Sequence, residues 1–229
     1  VKAGGGLLLF PSETNQYAQK LFDITSVLGA RLPVETLNET NPNNVAVMHH
    51  MRGEGDTVKI FWTSGVHASA SGAQELTAGV RGVWYPSMPA YNAAHGGPIA
   101  VDGNWSVVLS GSSSTHTVAV DLAASTSRPL PPANQLYQRQ EPVFAPSLFA
   151  VRQLGRGRIA LLNQWRQYTT GSGSAWLFDS QVLSKGAKGR KSDMGQLLQN
   201  TLRWLAQPTT AGSTGPIGGY KTPAGHLSD

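Results

Sequence analysis

Hydrophobic positions in this chain gather mostly in short continuous or alternating runs, with a helical stripe near each end. Residues 7–10, Leu-Leu-Leu-Phe, are apolar throughout and bounded by Gly4-Gly5-Gly6 and Pro11, as in a strand buried on both faces. From Ser12 the spacing changes: Tyr17, Leu21, Ile24 and Leu28 share one helical face, and Gly29 stands where a helix stops. After an Asn-rich connection at 38–44, strand patterns recur at 45–48, 58–62, 80–85, 98–101, 105–110 and 116–122. Asp102-Gly103, lying between two of these, is a hairpin signal. A proline-rich stretch at 128–146 leads to two further strand patterns, 147–152 and 158–163, around Gly155-Arg156-Gly157. A closing helix over 192–206 carries Met194, Leu197, Leu198, Leu202 and Leu205, with Ser192 or Asp193 as its N-cap and Pro208 beyond its end.

Composition narrows the classes of function. With 229 residues and 40% hydrophobic content the chain can bury one proper core. Residues 1–207 read as one domain and 208–229, rich in Gly, Pro and Thr, as a linker or tail. Cysteine is absent, which removes disulfides, thiolate metal sites and a cysteine nucleophile. Only 14% of residues are charged, so Ser, Thr, Asn, Gln and Gly must cover the surface, a composition that leans towards an extracellular or periplasmic setting. No run reaches the roughly 20 apolar residues of a membrane span, so membrane insertion is not expected. The net charge of +5 raises the question of a polyanion. The one basic cluster, Lys185, Lys188, Arg190 and Lys191, lacks interleaved aromatics and reads as a solvated loop, so no nucleic acid partner is expected unless it joins Arg128, Arg139 or Arg152 on one face.

Candidate chemistry is sparse. Ser12 lies at a strand-to-helix turn, yet Leu9-Phe10-Pro11-Ser12-Glu13 is not a nucleophile elbow, and a helix N-cap accounts for it. Glu13 suits the first turn of the same helix. The six histidines show neither i, i+4 spacing nor nearby carboxylates, so neither a metal site nor a cofactor is expected. His67 is the histidine best placed for a polar contact in a cleft. Ser12, Glu13 and His67 are therefore weak catalytic candidates. Asn163, Gln164, Trp165, Arg166 and Tyr168 form the candidate ligand-binding set: flat rings can cover the C–H faces of a sugar while amides bond its hydroxyls. The plainer reading is that Trp165 and Trp176 anchor a long loop. Asn38-Glu39-Thr40 and Asn104-Trp105-Ser106 match the N-glycosylation pattern, which arises easily by chance.

Three segments in order carry a family resemblance: 1–9 (Val-Lys-Ala-Gly-Gly-Gly-Leu-Leu-Leu), 75–80 (Glu-Leu-Thr-Ala-Gly-Val) and the hairpin 149–162, completed by 198–206. In this order they resemble the class I glutamine amidotransferase-like superfamily, especially its ThuA-like and other non-amidotransferase branches. The resemblance implies an α/β fold, a flavodoxin-like three-layer sandwich with a largely parallel sheet, here with a β-rich insertion and a hairpin. It also implies that the first strands and helices lie upstream of Val1. Amidotransferase members place a nucleophilic Cys in the turn after the first of these strands and a His after the hairpin; here those places read Phe10-Pro11-Ser12-Glu13 and Asn163-Gln164-Trp165-Arg166. ThuA-like relatives carry a His near each place, and this chain does not.

The expected function is therefore that of a non-catalytic module, structural, interacting or carbohydrate-contacting, within a larger exported bacterial protein. Its expected partners are neighbouring domains of the same polypeptide and a saccharide ligand. The alternative is a hydrolase acting on a carbohydrate-related substrate through a cleft at the C-terminal ends of the strands.

Overall fold

The computed structural model of the chain describes residues 1, 4–10, 25–49, 57–67, 74–90, 93–120, 137, 139–164 and 176–207. The strands are β1 (Gly6–Leu9), β2 (Ala30–Arg31), β3 (Glu35–Glu39), β4 (Val45–His49), β5 (Thr57–Thr63), β6 (Gly65–Val66) and β7 (Val83–Ala90). They continue as β8 (Ala93–His95), β9 (Ala100–Val101), β10 (Ser106–Ser110), β11 (Thr115–Ala119), β12 (Ser147–Leu154) and β13 (Gly157–Leu162). The α-helices are α1 (Gln74–Thr77) and α2 (Met194–Ala206), and a π-helical turn spans Gln181–Lys185.

The central sheet has the order β1-β13-β12-β10-β6, and a second sheet has the order β4-β5-β7-β8. The ribbons β3–β11 and β2–β9 stand beside them. Among the described strands only β1 and β13 pair in parallel; every other pairing is antiparallel. Among the described residues 41% are strand and 22% helical, so the expected flavodoxin-like sandwich with a largely parallel sheet is overturned: the central sheet is mixed and the others are antiparallel. The physical reason lies in the connections. The paired strands β7 and β8, and β12 and β13, are each joined by two residues, whereas a parallel crossover needs about ten or more.

The central sheet separates two apolar layers, as strand alternation demands. Leu9, Val107, Ala150, Ile159 and Leu161 face Ala30, Leu32, Ile99, Val101 and Trp105 on one side. Val108, Phe149, Val151, Ala160 and Leu162 face the larger core on the other, with Ile60, Trp84, Tyr85, Leu197 and Trp204. Helix α2 buries Met194, Leu197, Thr201, Trp204 and Leu205, while Leu202, assigned to the apolar face by spacing, is 57% exposed. Its N-cap is Asp193, but the carboxylate does not cap the helix; it accepts from the backbone N–H groups of Arg81 (2.8 Å) and Gly82 (3.4 Å). Asn200 reaches from α2 to the carbonyls of Leu76 and Ala78, tying α1 in place.

Gly29 ends the first helical segment at φ +74°, as its position implies, and its N–H donates to Ser26. The helix expected over residues 12–28 otherwise lies outside the described residues. Asp102-Gly103 does form a turn, but not a hairpin: β9 pairs with β2, and β10 pairs with β12 and β6. The Asp102 side chain accepts from the Asn104 N–H at 2.8 Å, so the turn is built by an Asx contact between strands of different sheets.

Candidate functional site

Because β12 runs antiparallel to both β10 and β13, and β1 is parallel to β13, the strands β1, β10 and β13 all point the same way. One end of the central sheet therefore collects Leu9 and Phe10, Ser110 and Gly111, and Leu162 to Gln164. With strands about 4.8 Å apart, the ends of β10 and β13, separated by β12, stand about 10 Å from one another. This is the end at which the sequence locates its candidates.

Asn163 and Gln164 are brought together there, but deep in the protein, 4% and 1% exposed. The Asn163 Nδ2 donates to the Pro98 carbonyl and the Gln164 Nε2 to the Pro86 carbonyl, both at 3.1 Å. Tyr85, on β7 of the second sheet, directs its hydroxyl at the carbonyls of Asn163 (2.8 Å) and Gly97 (3.1 Å). Burial raises the Tyr85 phenol, against a smaller lowering by the Gln164 side chain, so the group stays protonated and acts as a donor. Gly96, at φ +65°, permits this packing: a Cβ there would lie 2.1 Å from the Pro86 carbonyl oxygen. The Gln164 Oε1 is buried without a hydrogen-bond partner. Asn163 and Gln164 thus form a frame that joins the end of β13 to residues 86 and 96–98.

His67 follows β6 and is half-buried. Its Nε2 lies 2.9 Å from the Ser110 Oγ, and its backbone N–H donates to the Val108 carbonyl at 2.9 Å. Burial lowers its pKa, which keeps the imidazole neutral at pH 7. Thr63 secures the same corner: its hydroxyl donates to the Ser110 carbonyl at 2.7 Å and accepts from the Gly65 N–H at 2.9 Å. A neutral imidazole beside a hydroxyl can accept its proton, the first requirement of a nucleophilic serine. The sequence reading missed Ser110; the only signal was a hydroxyl closing an apolar strand.

Ser12, Glu13, Trp165, Arg166 and Tyr168 lie outside the described residues. The basic cluster is only partly open to a ligand. The Arg190 guanidinium sits over the rings of Trp62 (5.1 Å) and Trp84 (5.5 Å) and bonds Asn43 and Asn44, while the Lys188 Nζ donates to the Pro42 carbonyl. These two cations pin the 185–191 loop onto residues 42–44. A buried ion pair, Glu35–Arg139, likewise ties β3 to the strap after residue 137, a role that the spacing of charges did not announce. Among the described residues no three His, Asp or Glu side chains are grouped to hold a metal ion, and no helix is long and apolar enough to cross a membrane.

No protein-family model, no curated protein and no solved structure matches this chain.

Proposed function

We propose that the chain is a non-catalytic domain of amidotransferase-like descent, a structural and interaction module of a larger exported protein that contacts carbohydrate through the aromatic segment after β13. The observation that carries this reading is the use of the strand-end amides. Where amidotransferases place a catalytic residue, Asn163 and Gln164 are buried and hold the carbonyls of Pro98 and Pro86. Side chains committed in this way orient the backbone, not a substrate. Trp165, Arg166 and Tyr168, which follow immediately, are left as the saccharide-contacting part of the set. The descent rests on the order of the motif segments in the sequence, not on the sheet, which lacks the largely parallel arrangement that the resemblance implied.

A screen of glycans and small sugars against wild type and Trp165→Ala tests this reading. Saccharide binding by the wild type, lost in the variant, with no release of ammonia from glutamine, is the expected result. Unchanged binding in Trp165→Ala removes that residue from the contact.

The second reading, a hydrolase of a carbohydrate-related substrate, is favoured by one observation, the 2.9 Å contact between the His67 Nε2 and the Ser110 Oγ. Cleavage of a glycoside or sugar ester that disappears in both Ser110→Ala and His67→Ala would replace the module reading with this one.

A further inference from the structure

We propose that Asp102-Gly103, in the turn between β9 and β10, is a site of spontaneous covalent modification, where the folded chain converts aspartate to isoaspartate through a succinimide. The inference concerns this turn alone and stands apart from what the chain binds.

The reaction closes a five-membered ring from the Cγ, Cβ, Cα and carbonyl carbon of an aspartate and the amide nitrogen of the next residue. Here the Gly103 nitrogen attacks the Asp102 Cγ. An N–C bond forms, the Cγ–OH bond breaks, and the hydroxyl leaves with the amide proton as water. A second water then opens the succinimide. Opening at Cγ restores aspartate, and opening at the main-chain carbonyl leaves the peptide running through Cγ, which is isoaspartate.

The turn brings the reacting atoms together. The Asp102 Oδ1 accepts from the Asn104 N–H at 2.8 Å, and the Asn104 Nδ2 donates to the Oδ2 at 3.1 Å. An Asx contact of this kind folds the side chain back over the peptide that follows it, so it curls the same five atoms towards the ring they must form. The Asn104 donors also face the oxygens on which charge gathers as the nitrogen attacks. Backbone bonds fix the turn on both sides: the Asp102 N–H donates to the Gly29 carbonyl (2.9 Å), and the Asp102 carbonyl accepts from the Trp105 N–H (3.2 Å). The carboxylate rests against Gly29, where a Cβ would lie 1.9 Å from the Oδ2.

The nucleophile is unshielded. Gly103 is exposed, a Cβ there would meet nothing within 4 Å, and its N–H donates to no backbone carbonyl among the described residues. Asp102 is the one aspartate of the chain that glycine follows. Asp179 supplies an internal comparison. Its Oδ1 accepts from the Gln181 N–H at 2.7 Å in the same kind of contact, but the side chain of Ser180 crowds the intervening nitrogen. Conversion at Asp102 has a structural consequence, because isoaspartate adds one carbon to the backbone. That carbon enters between the Ala30–Val101 pairing and Trp105, which is 1% exposed and bonded through its Nε1 to the Leu28 carbonyl.

Storage of the whole chain in neutral buffer, sampled over weeks, tests the proposal. Isoaspartate is read by enzymatic methylation of isoaspartyl carboxyls and located by electron-transfer fragmentation of the peptides. It should build up at residue 102 and not at 179, and the modified fraction should unfold at a lower temperature. Gly103 does not adopt a left-handed φ, so Gly103→Ala should fold as wild type, with unchanged thermal unfolding when fresh, and convert several-fold more slowly. Asp102→Glu, whose ring would need a further atom, should lose the product. Faster conversion in the urea-unfolded chain than in the folded one would mean that the turn protects the site, and overturns the proposal. Wild-type accumulation in Gly103→Ala, or equal product at 102 and 179, overturns it as well.

Discussion

At the scale of the residue, burial decides what each polar side chain does. Taking the His67 imidazole out of water disfavours its cation and lowers its pKa from the ordinary 6.5. Below that pH the unfolded chain takes up a proton that the folded chain resists, so His67 makes stability fall as the pH drops through the window under 6.5 and has no effect above it. His67→Gln retains a hydrogen-bonding group for Ser110 and removes the proton. Urea unfolding at about pH 5 and about pH 7.5 should then show a smaller drop in the variant than in wild type. An equal drop in both would dismiss His67 as the source. The amides illustrate how much of the candidate site was legible. That Asn163 and Gln164 end an apolar strand is visible in sequence. That they serve carbonyls 65 and 78 residues away is not, because an amide bonds a backbone and a sugar equally well.

At the scale of the element, close approach between backbones is what sequence patterns conceal. Gly6 opens β1 and reads as punctuation before an apolar run, but it is also where β1 meets the end of α2. A Cβ at Gly6 would lie 2.5 Å from the Leu205 carbonyl oxygen and 2.7 Å from the Leu205 Cβ. Since the obstacle is largely backbone, it cannot swing aside. Gly6→Ala should cost about 2 kcal/mol by overpacking, seen as a lower midpoint in chemical denaturation; wild-type stability in the variant would mean that the strand and the helix can move apart. The same helix shows the limit of periodicity. Spacing chose Leu202 for the buried face, whereas Trp204 lies there under the Arg158 guanidinium, 5.2 Å from its ring. One helical turn offers several apolar stripes, and the neighbours choose among them.

At the scale of the whole molecule, the two larger sheets are joined by Tyr85. Its hydroxyl leaves β7 and meets carbonyls at Gly97 and Asn163, so one side chain links the second sheet to the end of the central one. Tyr85→Phe removes that link while keeping the ring. Stability should fall by about 1–2 kcal/mol, because buried carbonyls lose a donor. The Ile99 amide, bonded to the Ser147 carbonyl nearby, should exchange its hydrogen faster. Wild-type exchange at Ile99 would show that the strand end is held without the hydroxyl.

The sequence by itself determined the strands near 45–48, 58–62, 105–110, 147–152 and 158–163, that residues 155–157 turn a hairpin and that a helix follows near 192–206; it did not show β2, β3, β6 or β8, and it set β7 at 80–85 where the strand runs Val83–Ala90. The features it determined depend on alternation, on Gly155 at φ +60° and on apolar spacing, all of which act within a few residues. Only the tertiary structure decided which strands pair and in which direction. β9 turned to β2 across the Asx turn, β3 took β11 some 80 residues on, and among the described strands β1 and β13 alone pair in parallel. Pairing is a contest among distant segments with similar local propensity, settled by which faces they can bury together. The same contest, not the identity of Asn163, Gln164 or His67, set what each of those side chains would touch.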